Sequence, residues 1–129
     1  MALNLACHAP DLFTCYIARS GAYNRSMTPQ GFQNEKRTLW QARETYMAMS
    51  SFMHADSIRE DANILLIHGK EDNNPGTYPS QSERLYSALK SLGVNSRLCL
   101  LPHESHGYRS MEATLHCQYE QERWLQMYL

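Results

Sequence analysis

Three short apolar runs, at 12–18, 62–68 and 94–101, recur along this chain with helix-forming stretches between them, and that spacing restricts the fold more than any other feature. The first shows no clean alternation between apolar and polar residues and reads as a strand buried on both faces, the second reads as another buried strand and the last as a third strand. Residues 1–8 read as the end of a helix, halted at Ala9-Pro10-Asp11. Helix formers dominate 34–49, where Leu39, Ala42, Arg43 and Tyr46 share one face at helical spacing. Ser80-Gln81-Ser82-Glu83 has the pattern of a capping box. Behind it Leu85, Ala88, Leu89 and Leu92 form a stripe, and Gly93 supplies a left-handed stop. Residues 109–128 predict a last amphipathic helix, with Ala113, Cys117, Trp124 and Tyr128 near one face. Residues 19–33 read as a long polar loop and 50–61 as a connection. The order helix, strand, helix, strand, helix, strand, helix predicts an α/β fold: about three parallel strands with flanking helices. No internal repeat or linker divides 1–129, which reads as one unit or a piece of one.

A chain of 129 residues with 43% apolar content can supply one core. A formal net charge of −1, with no basic cluster interleaved with aromatics, argues against nucleic acid as a partner. The apolar runs are too short to span a bilayer, so no membrane partner is expected and the segment reads as soluble. Cys7, Cys15, Cys99 and Cys117 show no C-x-x-C spacing, and Cys15 and Cys99 fall in strand-like runs where a thiol acts as a small hydrophobe. That usage suits a reducing compartment better than a disulfide framework. Residues 1–8 have neither a positive leader nor a long apolar core, so they read as a helix caught in mid-course rather than a targeting peptide.

Two of the apolar runs stop abruptly at loops that carry chemistry. The first is Ile64-Leu65-Leu66-Ile67-His68-Gly69-Lys70-Glu71-Asp72. The second is Leu101-Pro102-His103-Glu104-Ser105-His106-Gly107-Tyr108, with His106 lying 34 positions beyond Asp72. Parallel sheets present functional side chains at the carboxyl ends of their strands. An acid followed by a histidine is the order of the last two members of a Ser-Asp-His triad, in which the acid fixes the tautomer of the imidazole and stabilises its protonated form. Each residue alone has a plainer reading. Asp72-Asn73-Asn74-Pro75-Gly76 is an ordinary turn sequence, and a loop histidine is commonly a solvated one. Their placement on successive strand ends favours the chemical reading, because neighbouring strands lie about 5 Å apart.

The nucleophile is missing, since no Gly-x-Ser-x-Gly occurs in the sequence. His103-x-x-His106 with Asp72 could be imagined as a zinc site, but there is no H-E-x-x-H and Pro102 opposes a helix there, so neither metal nor cofactor is expected. His68 is expected to orient the acid loop, while His8, His54 and His116 read as structural. The loop after the first strand, Arg19-Ser20-Gly21-Ala22-Tyr23-Asn24-Arg25, opens on the same rim as Asp72 and His106. Arg19, Tyr23 and Arg25 are therefore candidate substrate-binding residues, the arginines for an acidic side chain. They read equally well as solvated or loop-bracing residues.

Several segments together resemble the prolyl oligopeptidase family of serine peptidases, and within it the glutamyl endopeptidase group of plant chloroplasts. They are residues 17–25 (Ile-Ala-Arg-Ser-Gly-Ala-Tyr-Asn-Arg), Gly31-Phe32-Gln33-Asn34-Glu35, residues 66–77 (Leu-Ile-His-Gly-Lys-Glu-Asp-Asn-Asn-Pro-Gly-Thr) and the Leu101 to Tyr108 stretch. The resemblance runs over essentially the whole chain. It implies the C-terminal half of an α/β-hydrolase fold with an incomplete sheet, Asp72 as triad acid and His106 as general base. It implies also a nucleophile elbow a few residues before Met1, with residues 1–8 continuing the helix behind it. A peptide substrate, cleavage after glutamate and a chloroplast stromal location follow from the same resemblance. So does a missing partner portion, comprising the N-terminal half of the catalytic domain and a β-propeller. An esterase or lipase on the same scaffold, and a non-catalytic truncated remnant, remain open as alternatives.

Overall fold

The computed structural model describes residues 1–129. Three strands form one parallel sheet in chain order: β1 (Cys15–Arg19), β2 (Asn63–Gly69) and β3 (Asn95–Leu101). Around it lie α1 (Ala2–His8), α2 (Arg43–Ala48), α3 (Ser80–Ser91) and α4 (Met111–Tyr128), with 3-10 turns at Arg25–Met27, Phe32–Asn34 and Ser51–Ser57. The α/β expectation from the alternating pattern is met.

β2 is the middle strand, and its side chains explain both layers. Ile64 and Leu66 point into a cluster with Leu3, Ala6, Leu85, Leu89 and Ala55. Leu65 and Ile67, one residue out of phase, pack with Cys99, Leu101, Ala113, Cys117 and Trp124. The period of two along a strand thus feeds α1 and α3 on one face and α4 on the other. All four β2 side chains are fully buried, and each burial is worth on the order of 1.5–3 kcal/mol. α4 begins where the Ser110 hydroxyl accepts a hydrogen bond from the Ala113 amide at 3.1 Å. It is tied to β3 by a two-pronged Arg97–Glu120 pair, both contacts at 2.7 Å. α3 ends at Gly93, whose φ of 75° is the left-handed turn read from its position.

Five local expectations are corrected. The first strand begins at Cys15 rather than residue 12, because Leu12 and Phe13 remain in the exposed turn that leaves α1. Nor is it buried on both faces: Tyr16 and Ala18 are buried in the core under α1, while Cys15 and Ile17, on the face toward α4, are only half covered. The helix expected over 34–49 shrinks to Arg43–Ala48. Upstream of it, side chains take the backbone groups a helix would use. The Glu35 carboxylate accepts from the Arg37 amide and guanidinium, and the Gln30 and Gln41 side chains accept from the Leu39 and Thr38 amides. Trp40, 66% exposed, offers no apolar face to dock such a helix.

The capping box does not form either. Pro79 occupies the cap position of α3 with no side-chain cap bond, and Ser82 is turned inward. The connection over 50–61 is itself partly ordered, as the 3-10 turn at Ser51–Ser57.

Candidate active site

Because the strands are parallel and in register, Arg19 beside Ile67 and Gly69 beside Leu101, their carboxyl ends open on one rim. The loops leaving β2 and β3 are stitched together there. The Lys70 amide donates to the Leu101 carbonyl and the Glu71 amide to the Glu104 carbonyl, each at 2.9 Å. The buried Glu104 carboxylate closes the second loop by accepting from the Arg109 and Ser110 amides at 2.8 and 3.0 Å. The Ser110 hydroxyl and these amides hold Glu104 below the usual carboxylate range.

This stitching brings Asp72 and His106 together. His106 donates from Nδ1 to Asp72 Oδ2 at 2.9 Å. Asp72 is buried, whereas the His106 side chain is half exposed. Oδ2 also accepts from His68 Nε2 at 3.1 Å and from the Thr77 hydroxyl at 3.2 Å, and Oδ1 accepts from the Asn74 amide at 2.9 Å. Burial pushes the Asp72 carboxyl upward, but the hydrogen bonds from His106 and the Asn74 amide and the nearby imidazoles outweigh it, so the group lies below its ordinary value. The carboxylate is ionised and saturated with donors, and the imidazole beside it is held by one ring nitrogen with the other face toward solvent. Such an arrangement can take a proton from a hydroxyl placed against that open face.

Thr77, Ser82 and Glu104 do not stand out in the sequence as site residues. Thr77 Oγ1 lies 3.0 Å from His106 Nδ1 as well as bonding Asp72, so it braces both partners. No motif marks a threonine five residues after the acid. His68 lies behind Asp72, its Nε2 on the carboxylate, and His8 and His54 each bond a backbone carbonyl, of Ala48 and Met47, at 3.0 Å.

Arg19, Tyr23 and Arg25 all line a cavity of about 850 Å³ that also touches Asn74, Thr77 and His106. Arg25 lies over the Phe32 ring at 5.1 Å and donates to Gln33 Oε1 at 2.8 Å. Arg19 lies over the Tyr108 ring at 5.9 Å and reaches only the Cys117 sulfur, at 3.8 Å. Neither guanidinium has a carboxylate within bridging distance. Tyr23 is more buried than a loop contact residue need be. Burial pushes its phenol up to about 12, with the Ser82 hydroxyl and the Gly21 backbone pulling weakly the other way. Neither neighbour meets hydrogen-bond geometry, and the hydroxyl is left without a partner.

His103 points away from Asp72 to Glu71, at 3.4 Å, so the imagined zinc set does not converge. Cys99, His116 and Glu120 do bring three donor atoms within 4.8 Å of one another. They fit a cation poorly: the Arg97 fork takes both Glu120 oxygens, and burial pushes the Cys99 thiol up to about 11.

The model of the prolyl oligopeptidase family matches residues 1–129. The chain belongs to the prolyl oligopeptidase family. It is 59% identical over 128 residues to a protein of Arabidopsis thaliana named "Probable glutamyl endopeptidase, chloroplastic", and 58% identical over 128 residues to the like-named protein of Oryza sativa subsp. japonica. Each alignment covers 99% of this chain and 13% of the relative, so the chain spans about an eighth of their length. Among solved structures it resembles a puromycin-hydrolysing peptidase of Mycobacterium tuberculosis, with a TM-score of 0.82 and 22% identity over 98% of this chain and 20% of that one. It also resembles dipeptidyl peptidase 4 of Porphyromonas gingivalis, with a TM-score of 0.87 and 16% identity over 98% of this chain and 18% of that one. At such identities the likeness establishes the fold, that of part of an α/β-hydrolase domain. No helix in the chain is long and apolar enough to cross a membrane.

Proposed function

We propose that this chain supplies the acid and the base of a serine peptidase's catalytic triad, with Asp72 as acid, His106 as general base and the serine contributed from outside these residues. The observation that carries the reading is the 2.9 Å bond between a buried, donor-saturated carboxylate and a half-exposed imidazole at the lip of the cavity. In the reaction His106 Nε2 takes the proton of the serine hydroxyl as it attacks the peptide carbonyl, and returns it to the leaving amine. Water, activated the same way, then releases the acyl group. Asp72 holds the ring with Nδ1–H inward throughout, so Nε2 is free to accept.

Glutamate is the proposed residue before the cleaved bond, and the chloroplast stroma the proposed location; the plant relatives are named as probable glutamyl endopeptidases and as chloroplastic. Arg25 and Arg19 support that preference, because they present cations without acidic partners to the same cavity as His106. The test is to join this chain in frame behind a segment carrying a Gly-x-Ser-x-Gly elbow and to assay peptide and ester substrates. The joined protein should label with a fluorophosphonate and cleave peptides after Glu, whereas the 129-residue chain should give no adduct. Ester hydrolysis without peptide cleavage would replace the proposal with an esterase, and neither activity would leave a non-catalytic remnant.

Arg25→Met in the joined protein should lower kcat/KM on Glu substrates roughly 100-fold, the loss of about 3 kcal/mol for a charge-assisted contact. A Gln analogue should be nearly unaffected. Equal losses on the two substrates would remove Arg25 as the reader of the carboxylate and leave Arg19 to be tested the same way.

A further inference from the structure

His68 is a fully buried imidazole, and both of its nitrogens are bonded. Nε2 lies 2.7 Å from the Thr77 carbonyl oxygen and 3.1 Å from Asp72 Oδ2. A carbonyl can only accept, so Nε2 carries the proton and shares it between the two oxygens. Nδ1 lies 2.6 Å from the hydroxyl of Ser82, which is itself fully buried on the inner face of α3. With Nε2 protonated, Nδ1 is free to accept from that hydroxyl. The chain of contacts therefore runs from α3 through Ser82 and His68 to Asp72 Oδ2, the oxygen that faces His106.

We propose that His68, held as its Nε2–H tautomer by the Thr77 carbonyl and Asp72 and anchored at Nδ1 by the Ser82 hydroxyl, is the positioning residue that sets the orientation of the Asp72 carboxylate and thereby the Asp72–His106 bond. This inference rests on the reading of Asp72 and His106 as acid and base, and adds what governs their geometry. Asp72 sits on a turn, and a carboxylate on a turn can rotate about its own side-chain bonds. The Asn74 amide fixes Oδ1, but rotation about that one contact would still carry Oδ2 away from His106. The Thr77 hydroxyl constrains Oδ2 from the same turn. His68 differs because it belongs to the middle strand, where its ring cannot move without disturbing β2 or α3. It ties the turn to the rigid part of the fold twice, through Oδ2 and through the Thr77 carbonyl. His68 never touches a reacting atom, so its contribution is positional.

The experiment is nitrogen-resolved NMR of the imidazoles in the full chain, comparing the parent with Ser82→Ala, His68→Gln and His68→Ala. In the parent, His68 should show the Nε2-protonated pattern, and the His106 Nδ1 proton should appear far downfield and exchange slowly. Ser82→Ala should leave the His68 tautomer in place but free the ring at Nδ1, and speed exchange of the His106 proton about tenfold. His68→Ala should abolish that proton signal, and His68→Gln, which keeps an N–H donor toward Asp72, should restore it. A purely structural role would disturb the backbone amides of β2 and α3 in all variants without this selective loss and rescue. A parent without the slow His106 proton would overturn the Asp72–His106 reading and this inference together. A parent that shows it, with both Ser82→Ala and His68→Ala leaving it unchanged, would overturn the role of His68 alone. Should His68→Ala not fold, Ser82→Ala and His68→Gln decide: unchanged exchange in Ser82→Ala, or a lost proton in His68→Gln, counts against the proposal.

Discussion

Asp72→Asn, in the chain joined to a nucleophile elbow, should lower kcat about 10⁴-fold with little change in KM, the size of effect known when a triad acid becomes an amide. The reason lies in the direction of every hydrogen bond around that side chain. Oδ2 accepts from His106, His68 and Thr77, and Oδ1 accepts from the Asn74 amide. An amide placed there must turn its NH₂ toward one of these sets of donors. Facing the Asn74 amide is the lesser conflict and costs about 1–3 kcal/mol for the unsatisfied groups. Facing His106 instead would favour the opposite tautomer, with Nδ1 accepting and Nε2 protonated. That ring cannot take a proton from a serine. Whichever way the amide turns, His106 loses the negative charge that stabilises its protonated form during attack. The same substitution should also flatten the acid limb of the stability curve. The Asp72 carboxyl is depressed in the folded chain, so it contributes stability above its unfolded value, lost as pH falls through the folded one. A kcat within tenfold of the parent, measured on a peptide substrate at neutral pH, would take Asp72 out of the mechanism.

The sheet was legible because Ile64–Ile67 in β2 and Leu98–Leu101 in β3 are short apolar runs, each stopped soon after by glycine or proline. Asp72 and His106 were legible for a related reason: a polar, turn-prone sequence directly after a buried strand has few places to go except the rim. Ser82 was passed over because the pattern of Ser80 with Glu83 around it suits a helix cap. The competing demand came from 14 residues away, where a fully buried His68 needs a partner for its second nitrogen. No one-dimensional pattern records that demand. The helix expected over 34–49 failed for the converse reason. Its residues have good intrinsic propensity, but propensity is worth only tenths of a kcal/mol per position. Side-chain bonds to the local backbone and a missing docking face outweighed it. Thr77 and Glu104 escaped notice because their roles are defined by which loop lies next to them, and a pairing of loops is a tertiary fact.

Gly69→Ala should be the most damaging small substitution in the chain, lowering stability by about 3 kcal/mol and separating the two loops that carry the site. A methyl group at this position would sit inside contact distance of the Ser105 and Glu104 carbonyl oxygens. These are backbone atoms, so no side-chain rotation relieves the clash, and overpacking of this kind costs about 1–3 kcal/mol by itself. The loop leaving β3 must move as a body. Doing so stretches the hydrogen bonds from Lys70 to Leu101 and from Glu71 to Glu104, each worth about 1 kcal/mol. His106 rides on that loop one residue beyond Ser105, so its bond to Asp72 lengthens with the same displacement. Gly93→Ala is the control. It forces an alanine into a φ of 75° with nothing within 4 Å of the added methyl, which costs roughly 1 kcal/mol of backbone strain and leaves the site untouched. Urea unfolding of both variants, with activity measured in the elbow-bearing form, separates the two effects. Gly69→Ala should lose both stability and activity, and Gly93→Ala stability alone. If the two glycines prove equally tolerant and equally active, the loop after β3 is not held against the end of β2 as tightly as this packing requires, and the acid and the histidine are placed by something else.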